Sequence, residues 1–556
     1  MAERKIIMKK KMLSLLLAAA MVVSVCACGN SEETQKSPEN SEAQQSTEKN
    51  SESQQDATAP TTEEDESLYP LVDSPVTLKG ITIGGNTNQN GSTERLVWNK
   101  VAEITGITIE WEAVELEALP TYLAAGDWPD VIHGSVSDAL VYDYGVLGGK
   151  FVNYLDYLDI MPNLVQTIED YPMVGKGSVL SNGEMYQLLN IDNSVTATAV
   201  RPYVNTAVLE EAGVEMPTTV EEFEQALKDL KAYYGEVSFI PKLNNYYCTW
   251  APMLYAAFGT GCNPEWDVDD DDKVYFAGMS DQMRYYYEYM NRLYEQGLIH
   301  QELATLDSST IKELELSGKV AFIDYAASAF QADENGEWHI SCVPPLTSEY
   351  DSTQEVLGTS YIFADISFYI NSDSKYVKEL CQMIDIAYAS EEVVEGSGLY
   401  GQSFIYGMEG EHWDINDDGK TYTFHVPEGY ASMNQFVLQE VIWYNMGRAD
   451  ALAGLITDTP SNNKSRQEGF AENVNPYMEK DPFPEDLLTF TEEQQYVIDN
   501  KWSEIDTYVK KMQVEFITSV TDITDNWDDY CETLKKMGID EVVAVYQDAY
   551  DTLMSK

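Results

Sequence analysis

Apolar residues change their spacing sharply along this chain, and each change marks a different kind of segment. Met12 to Val25 is a nearly unbroken apolar run behind Arg4, Lys5, Lys9, Lys10 and Lys11. It is shorter than the roughly 20 residues a membrane-spanning helix needs, and its cationic flank is that of an export signal. Gly29 to Ser67 is the opposite: Ser, Glu, Gln, Thr and Asn with two prolines and almost no large apolar side chain. Such a stretch cannot bury enough surface to offset its ordering entropy, so it is expected to be a disordered spacer.

Beyond residue 68 the periods of folded structure begin. Leu78 to Gly85 alternates like a strand and runs into a glycine-rich polar loop, Gly84 to Ser92, after which Thr93 to Ile104 has helical spacing. Ile107 to Trp111 predicts a second strand, Leu116 to Ala125 a helix, and Gly126 to Ile132 a turn into a third strand. This order predicts doubly wound α/β material, in which ligands sit beyond the carboxyl ends of the strands. The pattern restarts at Arg201. Pro202 to Asn205 is extended, Val208 to Ala212 helical up to Gly213, and Thr218 or Thr219 is placed to cap a long helix ending at Tyr233. Met283 to Gln296 predicts an aromatic-rich helix stopped by Gly297, Gly318 to Tyr325 a buried strand, and Tyr361 to Ile370 another. Val377 to Ala389, Met433 to Met446, Glu492 to Ile517 and Trp527 to Asp551 are expected to be helical.

Composition narrows the function classes. The 556 residues carry 94 Asp and Glu against 34 Lys and Arg, a formal charge of -60. Nucleic acids and anionic lipids, which are bound mainly through cations, are therefore poor partners. Cys248, Cys262, Cys342, Cys381 and Cys531 are odd in number and lack Cys-x-x-Cys spacing, which argues against a disulfide framework while leaving room for a Cys248–Cys262 pair or buried thiols. His133, His300, His339, His412 and His425 are scattered without a zinc pattern. Asp267 to Asp272 lacks the glycine and glutamate of a calcium loop, and Asp414 to Gly419 leads to His425 where a glutamate would stand. Both are expected to be solvated turns, Asp418-Gly419 within a hairpin. Neither a metal nor a cofactor is expected.

Val25-Cys26-Ala27-Cys28 resembles the bacterial lipobox, in which a small residue precedes the cysteine that is lipidated before the signal is removed. That resemblance implies a signal over 1–27, Cys28 as a lipidated N-terminus, and a tether over 28–67 holding the body outside the cell membrane. The body then offers five stretches in order: Leu123 to Ile132 (LAAGDWPDVI), Leu209 to Val214 with Pro217 to Phe223 (LEEAGV, PTTVEEF), Leu293 to Ile299 (LYEQGLI), Tyr406 to Trp413 (YGMEGEHW) and Trp527 to Gly538 (WDDYCETLKKMG). Together they resemble the extracellular solute-binding lipoproteins of carbohydrate ATP-binding-cassette importers, in the large branch serving oligosaccharides in Gram-positive bacteria. The resemblance implies a type II periplasmic-binding-protein-like α/β fold of two lobes closing over a ligand, with hinge crossovers near 201–205, 361–370 and 428–433 and a helical C-terminus. It places lobe 1 at 68–202 plus 361–432 and lobe 2 at 203–360 plus 433–556. Where some members hold calcium after the Pro-Thr-x-x-Glu-Phe helix, Tyr234 to Pro241 lacks the ligands.

Sugars present apolar faces and hydroxyls, so their sites combine aromatic platforms with amide, carboxylate and arginine groups. Position selects Asn86, Asn88, Trp128 and His133 near the first crevice, Tyr203 and Asn205 on a crossover, and Tyr246, Tyr247 and Trp250 before a second-lobe helix. Asp324, Tyr325, Trp443 and Arg448 complete the candidate ligand set. The expected partners are an oligosaccharide, the membrane permease and the membrane through the lipid, with the protein a monomer and not an enzyme. A receptor for peptides or other non-sugar solutes, a sensor feeding a membrane kinase, and a surface glycoside hydrolase are the competing readings. With 94 carboxylates, accidental acid pairs carry no weight for the last.

Overall fold

A computed structural model of the chain describes residues 68–83, 95–193, 202–241, 250–260, 265–269, 271–323, 332–356, 362–363, 367–441, 447–478 and 483–556. The export signal, Cys28 and the spacer lie outside these residues, as do Cys248 and Cys262.

The first sheet grows from the alternation seen at residue 78. Val76–Ile83 runs parallel to Ile107–Val114 on one side and to Val131–Gly134 on the other, and Ser367–Ile370 closes the edge antiparallel to Val131–Gly134. One face packs Leu78, Ile109, Trp111 and Phe368 against Trp98 and Val101 of the helix Leu96–Thr105. The other packs Ile81, Ile132 and Tyr369 against Leu119, Phe151 and Tyr186. Gly80 is required here, because a Cβ would come within 2.5 Å of both Ile109 and Trp111.

The second sheet sets Tyr203–Asn205 between Phe322–Ile323 and Ile340–Cys342, all antiparallel. The helix Val220–Tyr234 buries Phe223, Leu227 and Leu230 against it. Its N-cap is Thr219, whose hydroxyl accepts from the Glu222 backbone N–H at 3.1 Å. Hydrogen bonds from the backbone and hydroxyl of Thr218 hold the Glu222 carboxylate below its ordinary pKa. The helices Asp281–Glu295, Glu492–Ile517, Ile523–Met537 and Ile539–Ser555 complete this core. Gly538, at φ +96°, divides what the sequence pattern left as one helical region.

The two cores divide the chain. One draws from Leu78 to Leu188 and from Phe368 to Val441; the other from Tyr203 to Ile362 and from Phe470 to Leu553, with Val174, Leu189 and Ile191 reaching into it from before the first crossover. The helix Met433–Glu440 packs Met433, Phe436 and Val437 into the first core, so the chain changes core after Val441 and not at 432. A small sheet connects the halves: Asn190–Asp192 lies between Ile362–Phe363, antiparallel, and Arg448–Ala449, parallel. The third crossover therefore carries Arg448 and does not run through 428–433. Tyr203–Asn205, expected on the first crossover, is already in the second sheet, and Ser367–Ile370 is already in the first. Gly447 is the tightest point of the joint. It has φ +66°, and a Cβ there would meet the Ala387 backbone at 1.8 Å.

The Asp418-Gly419 turn does close a hairpin, Trp413–Ile415 against Thr421–Phe424, with Asp418 Oδ1 accepting from the backbone N–H groups of Lys420 and Thr421. Asp269 makes the same kind of turn bonds to Asp271 and Lys273. Cys342 is buried, and Cys381 is a buried free thiol that burial pushes up to about 12. Among the described residues no helix is long and apolar enough to cross a membrane.

Candidate functional site

The crossover sheet brings polar side chains from both halves to one place. Asn190 Oδ1 accepts from the Gly447 N–H at 2.8 Å, and the Ile191 N–H donates to the Gly447 carbonyl at 2.7 Å, fixing the first and third crossovers to each other. Arg448 follows. Its Nη1 meets Asp170 Oδ2 at 2.5 Å, its Nε meets Asp450 Oδ2 at 2.8 Å, and its guanidinium lies over the Tyr171 ring at 5.3 Å from the centroid. Tyr171 donates its hydroxyl to the same Asp450 oxygen at 2.8 Å. Burial opposes the Arg448 charge, but the hydrogen bond to Asp170 and the field of Asp450 outweigh it and raise the pKa. The same hydrogen bond, with a second from Gln166, holds Asp170 below its ordinary value.

The helix Asn462–Asn473 ties this region to the hairpin and to the second core. Gln467 donates to Tyr422 Oη of the hairpin at 3.0 Å and accepts from the Thr457 N–H at 2.8 Å. Three residues on, Phe470 packs against Tyr203 with centroids 5.6 Å apart. Burial raises the pKa of Tyr406 and Tyr422. The neighbouring Tyr422 and then the charge of Asp192 add to the shift at Tyr406; at Tyr422 the Gln467 bond opposes it and Asp192 adds to it. The charge of Asp192 therefore acts on Tyr422 of the hairpin and on Tyr406 at the end of the helix Ser403–Tyr406. The chemistry gathered here is aromatic, amide, carboxylate and guanidinium, which suits a ligand of hydroxyls and C–H faces.

The candidates from the sequence separate under this geometry. Asn86, Asn88, Tyr246, Tyr247, Asp324, Tyr325 and Trp443 lie outside the described residues. Tyr203 lies beside the helix Asn462–Asn473, with its hydroxyl 3.5 Å from Arg466 Nη1. Arg448 is on a crossover strand, and its Nη1 and Nε are engaged by Asp170 and Asp450, so it braces the joint. Asn205 is a helix cap: its Oδ1 accepts from the Val208 N–H at 3.4 Å. Trp250 is fully buried, and its indole N–H donates to the Tyr203 carbonyl at 3.1 Å.

Trp128 precedes the strand Val131–Gly134, so it stands at the amino edge of the parallel strands, away from the carboxyl edge where the crevice was expected. Its ring is occupied by Tyr144, Phe151 and the ammonium of Lys150. His133 is at the carboxyl edge but within the core, between Trp111 and Phe368. Burial, and then the charge of Arg95, pushes it down to about 3, so it is neutral at physiological pH.

Tyr171, Asp450, Tyr422, Arg466 and Gln467 were not singled out by the sequence. The segment 462–473, NNKSRQEGFAEN, has too few apolar residues for a helical period, and Ser461, whose hydroxyl accepts from the Lys464 N–H, was its one legible sign as an N-cap. A depression of about 570 Å³ elsewhere is lined by residues 231–240, 297–302 and 314–320 of the second half; it meets none of the crossover strands.

No protein-family profile matches the chain. The chain is 24% identical over 508 residues to the fructooligosaccharide ABC transporter substrate-binding protein FusA of Streptococcus pneumoniae serotype 4, covering 87% of this chain and 91% of that protein. Among solved structures it is similar to an S. pneumoniae FusA EF-hand mutant in complex with fructo-nystose, at TM-score 0.64 and 21% identity over 86% of this chain and all of that one. It is likewise similar to an HMO-binding ABC-transporter-associated solute-binding protein from Bifidobacterium longum infantis, at TM-score 0.67 and 19% identity over 86% of this chain and 99% of that one. The fold is thus the two-lobe, periplasmic-binding-protein-like fold of solute-binding proteins.

Proposed function

We propose that this chain captures an oligosaccharide between its two lobes and delivers it to the permease of an ATP-binding-cassette importer on the outer face of the cell membrane. The observation that carries the reading is the similarity to a fructooligosaccharide transporter's substrate-binding protein along 87% of the chain. The crossover sheet supports it physically. Three short strands where the two halves meet give the lobes a narrow joint to turn about, and a ligand held between them favours the closed state by its added contacts.

The test is a thermal-shift and calorimetric screen of the chain from Gly29 onward against kestose, nystose, other neutral oligosaccharides, alginate oligosaccharides and short peptides. A ligand binding only the native state adds about 2.7 kcal/mol at a hundredfold excess over its Kd. At least one oligosaccharide is expected to raise the melting temperature and to be recovered intact. Stabilisation by peptides alone would remove the sugar reading, and shortened sugars after incubation would favour a glycoside hydrolase.

The anchor is a separate part of the proposal. Cys28, behind Val25-Cys26-Ala27, is the lipidated residue, and the polar stretch 29–67 is the leash that keeps the receptor near its permease. Cys28→Ala is expected to move the protein from the membrane fraction to the medium, or to leave it unprocessed, with the Kd for sugar unchanged. Unaltered membrane retention of a processed variant would exclude lipidation at this residue.

A further inference from the structure

Three of the described arginines meet carboxylates, and a fourth, Arg95, donates its Nη1 to the Val441 carbonyl at 2.7 Å. Arg284 meets Glu288 at 3.0 Å, Arg292 meets Glu224 at 2.9 Å, and Arg448 meets Asp170 and Asp450 at 2.5 and 2.8 Å. Arg466 differs. Among the described residues it has no carboxylate within ion-pair distance; its Nη2 donates to Asn463 Oδ1 at 3.1 Å, and its Nη1 lies 3.5 Å from Tyr203 Oη, at the outer limit of a hydrogen bond. Its Nε is shielded from solvent and has no partner. Leaving a guanidinium donor buried and unpaired costs free energy, more than for a neutral group, so this arrangement calls for an explanation.

The surroundings hold this guanidinium in a set position. Asn463 grips it across one helical turn, and the Tyr203 ring lies under it at 5.6 Å from the centroid. Tyr203 is itself fixed by Phe470 on one side and through its carbonyl by the Trp250 indole. Tyr203 begins the second-lobe sheet where the first crossover arrives, and Gln467, the next residue along the helix, is bonded to Tyr422 of the first half. Arg466 therefore stands where the halves meet, with a planar fork of donors prepared and only partly used.

We propose that Arg466 is a ligand-recognition residue, donating from its guanidinium to hydroxyl oxygens of a bound neutral oligosaccharide with Tyr203 and Asn463 as its positioning residues. This rests on the capture function proposed above and deepens it. Hydroxyl oxygens are the favoured acceptors, because Asp170, Asp450 and Asp192 already supply negative charge at the crossovers. The whole chain carries -60. A carboxylated ligand would enter that field against like charge.

The test compares wild type, Arg466→Met and Arg466→Lys by calorimetry with kestose, nystose, other neutral oligosaccharides and alginate oligosaccharides, alongside the melting temperature without sugar. Arg466→Met keeps the aliphatic length but removes every donor, and is expected to raise the Kd for the neutral sugar that binds wild type by about tenfold or more. Arg466→Lys, a charge without the fork, is expected to fall between. The sugar-free melting temperature of both should stay close to wild type. If Arg466→Met proves unstable, phenylglyoxal labelling of wild type read by mass spectrometry replaces it, and saturating sugar is expected to protect Arg466. An unchanged Kd in a folded Arg466→Met, or no protection, overturns the assignment. Binding of alginate oligosaccharides in preference to neutral ones overturns the ligand class. Failure of wild type to bind any oligosaccharide removes the capture function itself, and this assignment with it.

Discussion

Trp250→Ala is expected to lower the stability of the second half by about 3–5 kcal/mol, the usual cost of emptying a buried tryptophan site. The indole is fully enclosed. It is stacked on Phe223 with centroids 5.1 Å apart and an interplanar angle of 23°, and Phe239 and Phe322 flank it at 5.4 Å. Removing it leaves a cavity that these rings, fixed on three different elements, are poorly placed to fill. It also strips the Tyr203 carbonyl of the indole donor at 3.1 Å. Urea unfolding followed by far-ultraviolet circular dichroism gives the measurement. Trp250→Phe should retain more of the stability, since it keeps an aromatic ring in the stack but loses the hydrogen bond and part of the volume. A Trp250→Ala protein that unfolds like wild type yet no longer binds sugar would mean that the indole contacts ligand and that its core role is wrong.

Arg448→Met should cost about 2 kcal/mol, with a pH signature that distinguishes it from a packing defect. Breaking a buried ion pair by removing one partner costs about 3–5 kcal/mol. The figure is reduced here because the Asp170 side chain is 37% exposed, although Arg448 and Asp450 are only 10% and 14% exposed. The loss has two sources: Asp450 stays buried without its cation, and Tyr171 loses the guanidinium over its ring. Adding Asp450→Asn to Arg448→Met should recover part of the loss, because it removes the stranded charge.

The sign of the pH dependence follows from Asp170. Its folded pKa lies below the ordinary 3.8, so the native state binds fewer protons than the unfolded chain in the window between the two values. Its contribution is complete above 3.8 and disappears as pH falls through the lower folded value. Wild type is therefore expected to lose more stability than Arg448→Met as pH drops from neutrality through that window. Equal acid sensitivity of the two proteins would mean that the Arg448–Asp170 bond has no net effect on stability.

The sequence was most legible where local spacing alone selects the structure. The alternation from Leu78 and the cap at Thr219 produced the expected strand and helix, because period and capping are properties of a few consecutive residues. The ligand candidates were less legible. Asn205 and Trp250 have suitable chemistry, but helix capping and aromatic packing have already consumed it, and the Trp250 partner is 47 residues away. Arg448 passed the same test of residue type and position, yet one of its two carboxylates, Asp170, is 278 residues away. Arg466 was missed for the converse reason: a polar helix with few apolar positions gives no periodic signal, and its role depends on which acceptors are absent around it.

By itself the sequence determined the strongly acidic composition and the alternation of strands and helices, and it is the sole basis for the proposed lipidated Cys28 and polar leash. These follow from composition and from contacts between near neighbours, for which chain order is sufficient information. Only the tertiary structure decided where the chain changes core, which strands form the joint, and which arginine is spent on carboxylates and which is not. Those outcomes depend on pairings between residues hundreds of positions apart, and on the burial that sets the cost of leaving a donor unpaired.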